Sequence, residues 1–280
     1  MPASIEVTVR QVLENENLPY LFPKAERVYL PDLGTDAMDS VVKAARRLRD
    51  CGYEPVPHFA ARRIPSGTEL DDRIRMLAQE AGVRDVLVIA GGLATPSGPF
   101  SSTLDVLNTG VFDKAGIEHI GVAGHPEGSP DFSEDAALEA LRLKQAFGER
   151  SSAKLRIVTQ FGFDADRFVQ WSAGLRDAGV DLPVHLGVAG PAKITTLIKY
   201  AVACGVGNSI SMLRKRAGSL VGLAAGHSPE EFVEPIEKHV CANRETPITQ
   251  IHVFPFGGVA ATSEWLVSRG SWSKDMMRGR

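Results

Sequence analysis

The sequence predicts an α/β chain closed into a (β/α)8 TIM barrel, and three observations carry that expectation. Short β-branched runs alternate with longer helical patterns along the 280 residues, as repeated βα units around a parallel sheet require. Glycine follows one helical pattern after another, at Gly52, Gly82, Gly148, Gly179 and Gly205, where a left-handed cap would turn the chain into the next strand. No Pro/Gly/Ser linker or low-complexity tract interrupts the run. Eight strands in one uninterrupted stretch favour a closed barrel over an open doubly wound sheet, with residues 1–280 as a single domain.

The eight predicted strands are Ile5–Val9, Arg27–Leu30, Glu54–Phe59, Asp85–Ala90, His119–Ala123, Leu155–Gln160, Pro183–Gly187 and Gln250–Phe254. Helical spacing fills Ala37–Cys51, Glu69–Ala81, Glu134–Phe147, Ala165–Ala178 and Pro191–Ala203. The connection from Gly205 to Thr246 is longer and reads as a helical insertion before the last strand. It holds an apolar stretch near Ser209–Ala225 and a second helix opened by Ser228-Pro229-Glu230-Glu231, with Ser as N-cap and Pro at the first helical position.

Composition narrows the function classes. With 44% hydrophobic residues the chain can bury a large core, and a net charge of -3 gives no electrostatic reason to expect nucleic acid. The densest basic run, Arg214-Lys215-Arg216, is short enough to be a solvated helix end. Three scattered cysteines, Cys51, Cys204 and Cys241, suggest neither a disulfide framework nor a metal knuckle, so the expected compartment is reducing. The first ten residues carry Glu6 and alternating valines instead of a basic segment and an apolar run, and no apolar stretch approaches the roughly 18 residues of a membrane span. The expectation is a cytoplasmic protein without membrane association.

In a barrel of this kind, functional groups belong at the C-terminal ends of strands and in the loops that follow. That rule selects Glu6, His58, Gly91-Gly92, the loop Gly124-His125-Pro126-Glu127-Gly128, Gln160, Val188-Ala189-Gly190-Pro191 and Pro255-Phe256-Gly257-Gly258. Glu6 interrupts an apolar first strand. Facing the interior it would be desolvated and suited to donate a proton; facing outward it would be an ordinary solvated carboxylate. Gln160 can donate and accept at once, as a flat heterocycle edge requires, or can fix a loop. Taken alone, His58 and His125 each read as a structural histidine ahead of a catalytic one. The seven histidines include no HExxH pair, so no metal is expected. Neither a GxSxG elbow, a P-loop nor a GxGxxG after the first strand is present, which counts against serine hydrolases, NTPases and Rossmann dehydrogenases. The glycine turns at Gly187–Pro191 and Gly257–Gly258 could instead cradle a phosphate, as in barrel lyases and isomerases.

Several of these segments together resemble the methylenetetrahydrofolate reductase family, in order and over nearly the whole chain. Gly121-Val122-Ala123-Gly124-His125-Pro126-Glu127-Gly128-Ser129-Pro130 looks like the family's GVAGYPEGHP loop. Val158-Thr159-Gln160-Phe161-Gly162-Phe163-Asp164 resembles ITQFFFD, and Glu54-Pro55-Val56-Pro57-His58 resembles its third strand. The resemblance implies an oxidoreductase reducing 5,10-methylenetetrahydrofolate to 5-methyltetrahydrofolate with NAD(P)H through FAD. It assigns Glu6 as the acid protonating N10, and Gln160, Tyr200 and Gly92 as folate contacts. It places the flavin against His58, Gly91, Ala123, His125, Ser129 and Lys144.

The departures from the family pattern concentrate on the flavin. Ala90-Gly91-Gly92 stands where the family carries Arg-Gly-Asp, His125 and Ser129 replace Tyr and His, Ala137, Ala140 and Leu143 replace polar contacts, and Gly257-Gly258 replaces Asn-Arg. They imply a second reading, a flavin-poor relative that carries a one-carbon unit on folate within a methyl-transfer or demethylation pathway. Oligomeric state is not specified by any of these residues.

Overall fold

The computed structural model describes residues 1–129, 131–206, 227–273 and 275. Its strands are β1 (Ala3–Glu6), β2 (Arg27–Leu30), β3 (Glu54–Ala60), β4 (Asp85–Ile89), β5 (His119–Gly124), β6 (Lys154–Gly162), β7 (Val184–Ala189) and β8 (Ile248–Phe254). They follow one another in sequence order as a closed parallel barrel, the (β/α)8 fold expected from the alternation. The helices are α1 (Val9–Glu14), α2 (Met38–Asp50), α3 (Gly67–Glu80), α4 (Thr103–Leu107), α5 (Val111–Lys114), α6 (Glu134–Gly148), α7 (Ala165–Asp177), α8 (Ile194–Ala203), α9 (Glu230–Ala242) and α10 (Val259–Ser268). No helix among the described residues is long and apolar enough to cross a membrane.

Four local expectations are corrected. The first strand ends at Glu6, because Thr8 and Gln11 form a reciprocal capping box that starts α1 at Val9. Gln160 does not end its strand, since β6 continues to Gly162. Gly148 belongs to α6 and has no positive φ, whereas Gly52, Gly82, Gly179 and Gly205 adopt the left-handed conformation as expected. In the insertion the N-cap is Pro229, not Ser228, with the amides of Phe232 and Val233 donating to its carbonyl. The stretch Ser209–Ala225 and the basic run at 214–216 lie outside the described residues.

The chain packs as two compact units. Met1–Ile5, Gly124–Arg142 and Val158–Ser273 make up the first, Glu6–Ala123 and Leu143–Ile157 the second. The first has a core of Phe161, Phe163, Ala189, Ile194, Leu197, Ala201 and Val206, with Phe254 and Phe256 packed against it. Strands β6 and β7 approach closely at Gly187, whose amide donates to the Thr159 hydroxyl at 2.8 Å.

The second unit contains an ionic network in which Tyr29, Asp85 and Arg156 are buried and Arg27 is half-buried. Arg156 donates to Asp85 (2.8 Å) and to the Tyr29 hydroxyl (2.8 and 3.1 Å), and Arg27 pairs with the other Asp85 oxygen at 2.8 Å. Burial holds the Tyr29 phenol above its usual range, against the opposing pull of Arg156, so it stays neutral near pH 7.

A Cβ at Gly187 would lie 2.5 Å from the carbonyl oxygens of both Thr159 and Gln160. Backbone atoms cannot step aside as a flexible side chain can. Gly187→Ala is therefore expected to destabilise the fold by about 2–3 kcal/mol and lower Tm by roughly 5 °C. Thermal unfolding checks this; an unchanged Tm would mean that the two strands separate freely.

Candidate functional site

In the second unit, β1 delivers Glu6 and β3 delivers His58. The imidazole Nε2 lies 3.7 Å from Glu6 Oε2, with the two side chains 8% and 19% exposed. The outward, fully solvated alternative for Glu6 is thus corrected: its carboxylate is half-buried beside an imidazole. Tyr29 meets the His58 ring edge-on, with centroids 5.9 Å apart.

Gly91 turns the chain after β4 with φ 84°, and a Cβ there would sit 3.1 Å from that of Ala60. Gly92 faces open space. The loop is tied down by Arg62, which donates to the carbonyls of Leu93 (3.1 Å) and Ser101 (2.9 Å). Sequence reasoning passed over Arg62 because an arginine in a loop gives no sign of the carbonyls it will meet. It also passed over a cavity of about 450 Å³ beside His58, with Leu30, Met38, Phe59 and Leu77 on its walls and Arg63 and Arg73 among its polar groups.

Ala123 is half-buried in β5. Lys144, on α6, is 7% exposed and has no ion pair among the described residues. Burial lowers its pKa to about 8. Its neighbours on the helix, Ala137 and Ala140, are half-buried, while Leu143 is 47% exposed.

The first unit carries the remaining candidates. Gln160 Oε1 accepts from the Phe161 amide at 3.2 Å, which fixes the side-chain amide. Tyr200, 40% exposed on α8, stacks on Phe256 at 4.2 Å and 17°. Phe161 meets Phe256 edge-on at 4.8 Å, so Gln160 adjoins the same aromatic group that supports Tyr200. The loop after β5 turns at Gly128, with the Gly128 amide donating to the His125 carbonyl at 3.0 Å. His125 packs edge-on against Phe132, and the Ser129 hydroxyl accepts from the Asp131 amide. Arg167 fastens this loop by donating to the Pro126 carbonyl at 2.9 Å. Among the described residues, no cluster of His, Cys, Asp or Glu is arranged to hold a metal ion.

Fold and site together define a (β/α)8 barrel with an acid–imidazole pair on one unit and an amide beside an exposed aromatic stack on the other. The profile of the methylenetetrahydrofolate reductase family matches residues 29–211, more than half of the chain. The chain belongs to that family. It is 30% identical over 146 residues to methylenetetrahydrofolate reductase 2 of Saccharomyces cerevisiae, covering 49% of this chain and 23% of that one. It is 25% identical over 175 residues to 5,10-methylenetetrahydrofolate reductase of Pectobacterium carotovorum, covering 61% and 54%. The chain thus spans about half, or less, of the length of these relatives. A Clostridium thermocellum protein that binds two copies of 5-methyl-5,6,7,8-tetrahydrofolic acid has the same fold, with TM-score 0.60 at 12% identity over 99% of this chain and 96% of that one.

Because Lys144 has its pKa lowered from 10.5 to about 8, the unfolded chain holds a proton in that window that the folded chain has released. Stability therefore rises with pH between the two values. Lys144→Met is expected to remove that part of the slope in urea unfolding from pH 8 to 10.5; an identical slope in the variant would contradict the burial argument.

Proposed function

We propose that the protein reduces 5,10-methylenetetrahydrofolate to 5-methyltetrahydrofolate, with NAD(P)H as reductant and FAD between them, and that residues 1–280 act as one catalytic domain. The half-buried Glu6 carboxylate at the end of β1, 3.7 Å from His58, is the observation that carries this reading. Glu6 is the proton donor to N10, turning that nitrogen into a leaving group as the methylene bridge opens. Gln160, its oxygen already held by the Phe161 amide, offers its amide donors to the pterin edge. Tyr200, backed by Phe256, supplies an aromatic face for the folate. Gly92 leaves open space where the family's carboxylate would meet the pterin.

The fit to FAD rests on Lys144. A buried cation with no ion-pair partner among the described residues is matched by a diphosphate. FAD, when bound, supplies hydride transfer to the one-carbon unit. His58, Gly91, Ala123, His125, Ser129 and Lys144 are the residues that would hold it. Ala137, Ala140 and Leu143 contribute no polar group, and Leu143 is left 47% exposed. That exposure favours the second reading, in which the protein binds folate, retains little flavin and hands a one-carbon unit to another enzyme.

The visible spectrum of the purified protein, with and without added FAD, together with NADH oxidation in the presence of methylenetetrahydrofolate, separates the two. Flavin absorbance with turnover supports the reductase. A colourless protein that binds folate without reducing it, even with FAD added, supports the carrier. Within the reductase reading, Glu6→Gln lowers turnover by roughly a hundredfold with little change in folate affinity. Tyr200→Ala raises the folate Kd by about tenfold through loss of the aromatic face. Unchanged turnover in the first variant would reassign Glu6 to structure, and unchanged affinity in the second would remove Tyr200 from the site.

A further inference from the structure

We propose that Tyr29, clamped by Arg156 and Asp85, is the positioning residue for the Glu6–His58 pair. The inference rests on the reading of Glu6 as proton donor and adds a support that neither the strand-end rule nor the family pattern picks out.

Tyr29 meets the pair directly at His58 and reaches Glu6 through the neighbouring residue Val7. Its carbonyl accepts from the amide of Val7, the residue that follows Glu6, at 2.8 Å. Its ring stands edge-on to His58 at 81°. The register of β2 and β3 explains the second contact: Tyr29 pairs with Val56, and His58 is two residues further along the same face of β3. An imidazole against an aromatic edge loses freedom about its ring torsion. Its Nε2 is thereby held toward Glu6 Oε2.

The tyrosine ring is fixed in turn. Its hydroxyl oxygen accepts from both Nε (3.1 Å) and Nη2 (2.8 Å) of Arg156, a planar fork that resists sideways displacement. Arg156 is oriented by Asp85 at 2.8 Å, and Asp85 by Arg27 at 2.8 Å. Tyr29, Asp85 and Arg156 are all buried, so the clamp is screened little by solvent. A carboxylate that is to deliver a proton needs the imidazole beside it at a constant distance. The clamp supplies it.

The test uses the full chain and combines Tyr29→Leu, which removes the ring, with Tyr29→Phe, which keeps the ring and releases it from Arg156. The probe is the imidazole ¹⁵N shifts of His58, measured with and without Glu6→Gln. In the otherwise unaltered protein, Glu6→Gln is expected to move these shifts; in the Tyr29→Leu background that response disappears. Turnover of Tyr29→Leu falls roughly ten- to a hundredfold while KM for the folate stays within about twofold, the pattern of a misplaced catalytic group. Tyr29→Phe shows a smaller loss in the same direction and decides the matter if Tyr29→Leu fails to fold. A full-sized His58 response to Glu6→Gln in a folded Tyr29 variant would overturn the proposal. The NMR arm needs no turnover, so a chain without reductase activity still reports on the clamp. Conversely, loss of the clamp leaves the reductase assay of the unmodified protein to stand or fall alone.

Discussion

The buried pair of Arg156 and Asp85 is the interaction on which the placement of the Tyr29 ring in the second unit depends. Two charges withdrawn from water cost several kcal/mol each unless their geometry and remaining hydrogen bonds recover it. Here recovery comes from Arg27 on the second Asp85 oxygen and from the Tyr29 hydroxyl on Arg156. Apolar side chains of similar volume could fill the same space at equal or lower cost. What they could not supply is a directional fork that fixes a tyrosine ring. The network therefore counts for orientation more than for stability. The ring it orients meets His58, which in turn faces Glu6.

The alternation that predicted the barrel was legible because β-branched runs and helical periods are local properties of the chain, and all eight strands form. Their ends were less legible. Val7 and Val9 extended the apparent first strand past Glu6, although Thr8 and Gln11 already spelled a capping box. Gly148 looked like a helix cap because glycine after a helical pattern has that meaning on average; here it is the last residue of α6, without a positive φ, and a Cβ there would meet Leu155.

Of the candidate site, Glu6, His58 and Gln160 could be picked out because each stands at or near a strand end, where a polar residue is conspicuous, whereas Tyr200, inside α8, was legible only through the family resemblance. Arg156, Asp85 and Tyr29 could not. A charge inside a strand reads as a solvated face, and their contacts join residues 71 and 127 positions apart. Nothing local in the sequence announces such a pairing. Arg62 is a similar case, since its partners are main-chain carbonyls that any sequence would offer.

Family membership fixes the frame, and this chain's own residues weight its parts unequally. The amide and aromatic elements assigned to folate are built and supported by neighbours. Among the elements assigned to flavin, Lys144 is the buried cation, and the helix that carries it offers small or apolar side chains at Ala137, Ala140 and Leu143. The most direct measurement of the central claim is a crystal structure of the protein grown with 5-methyltetrahydrofolate. The pterin edge is expected on Gln160, with an aromatic contact from Tyr200 and the folate N10 within proton-transfer reach of Glu6. A folate bound away from all three residues would contradict that claim.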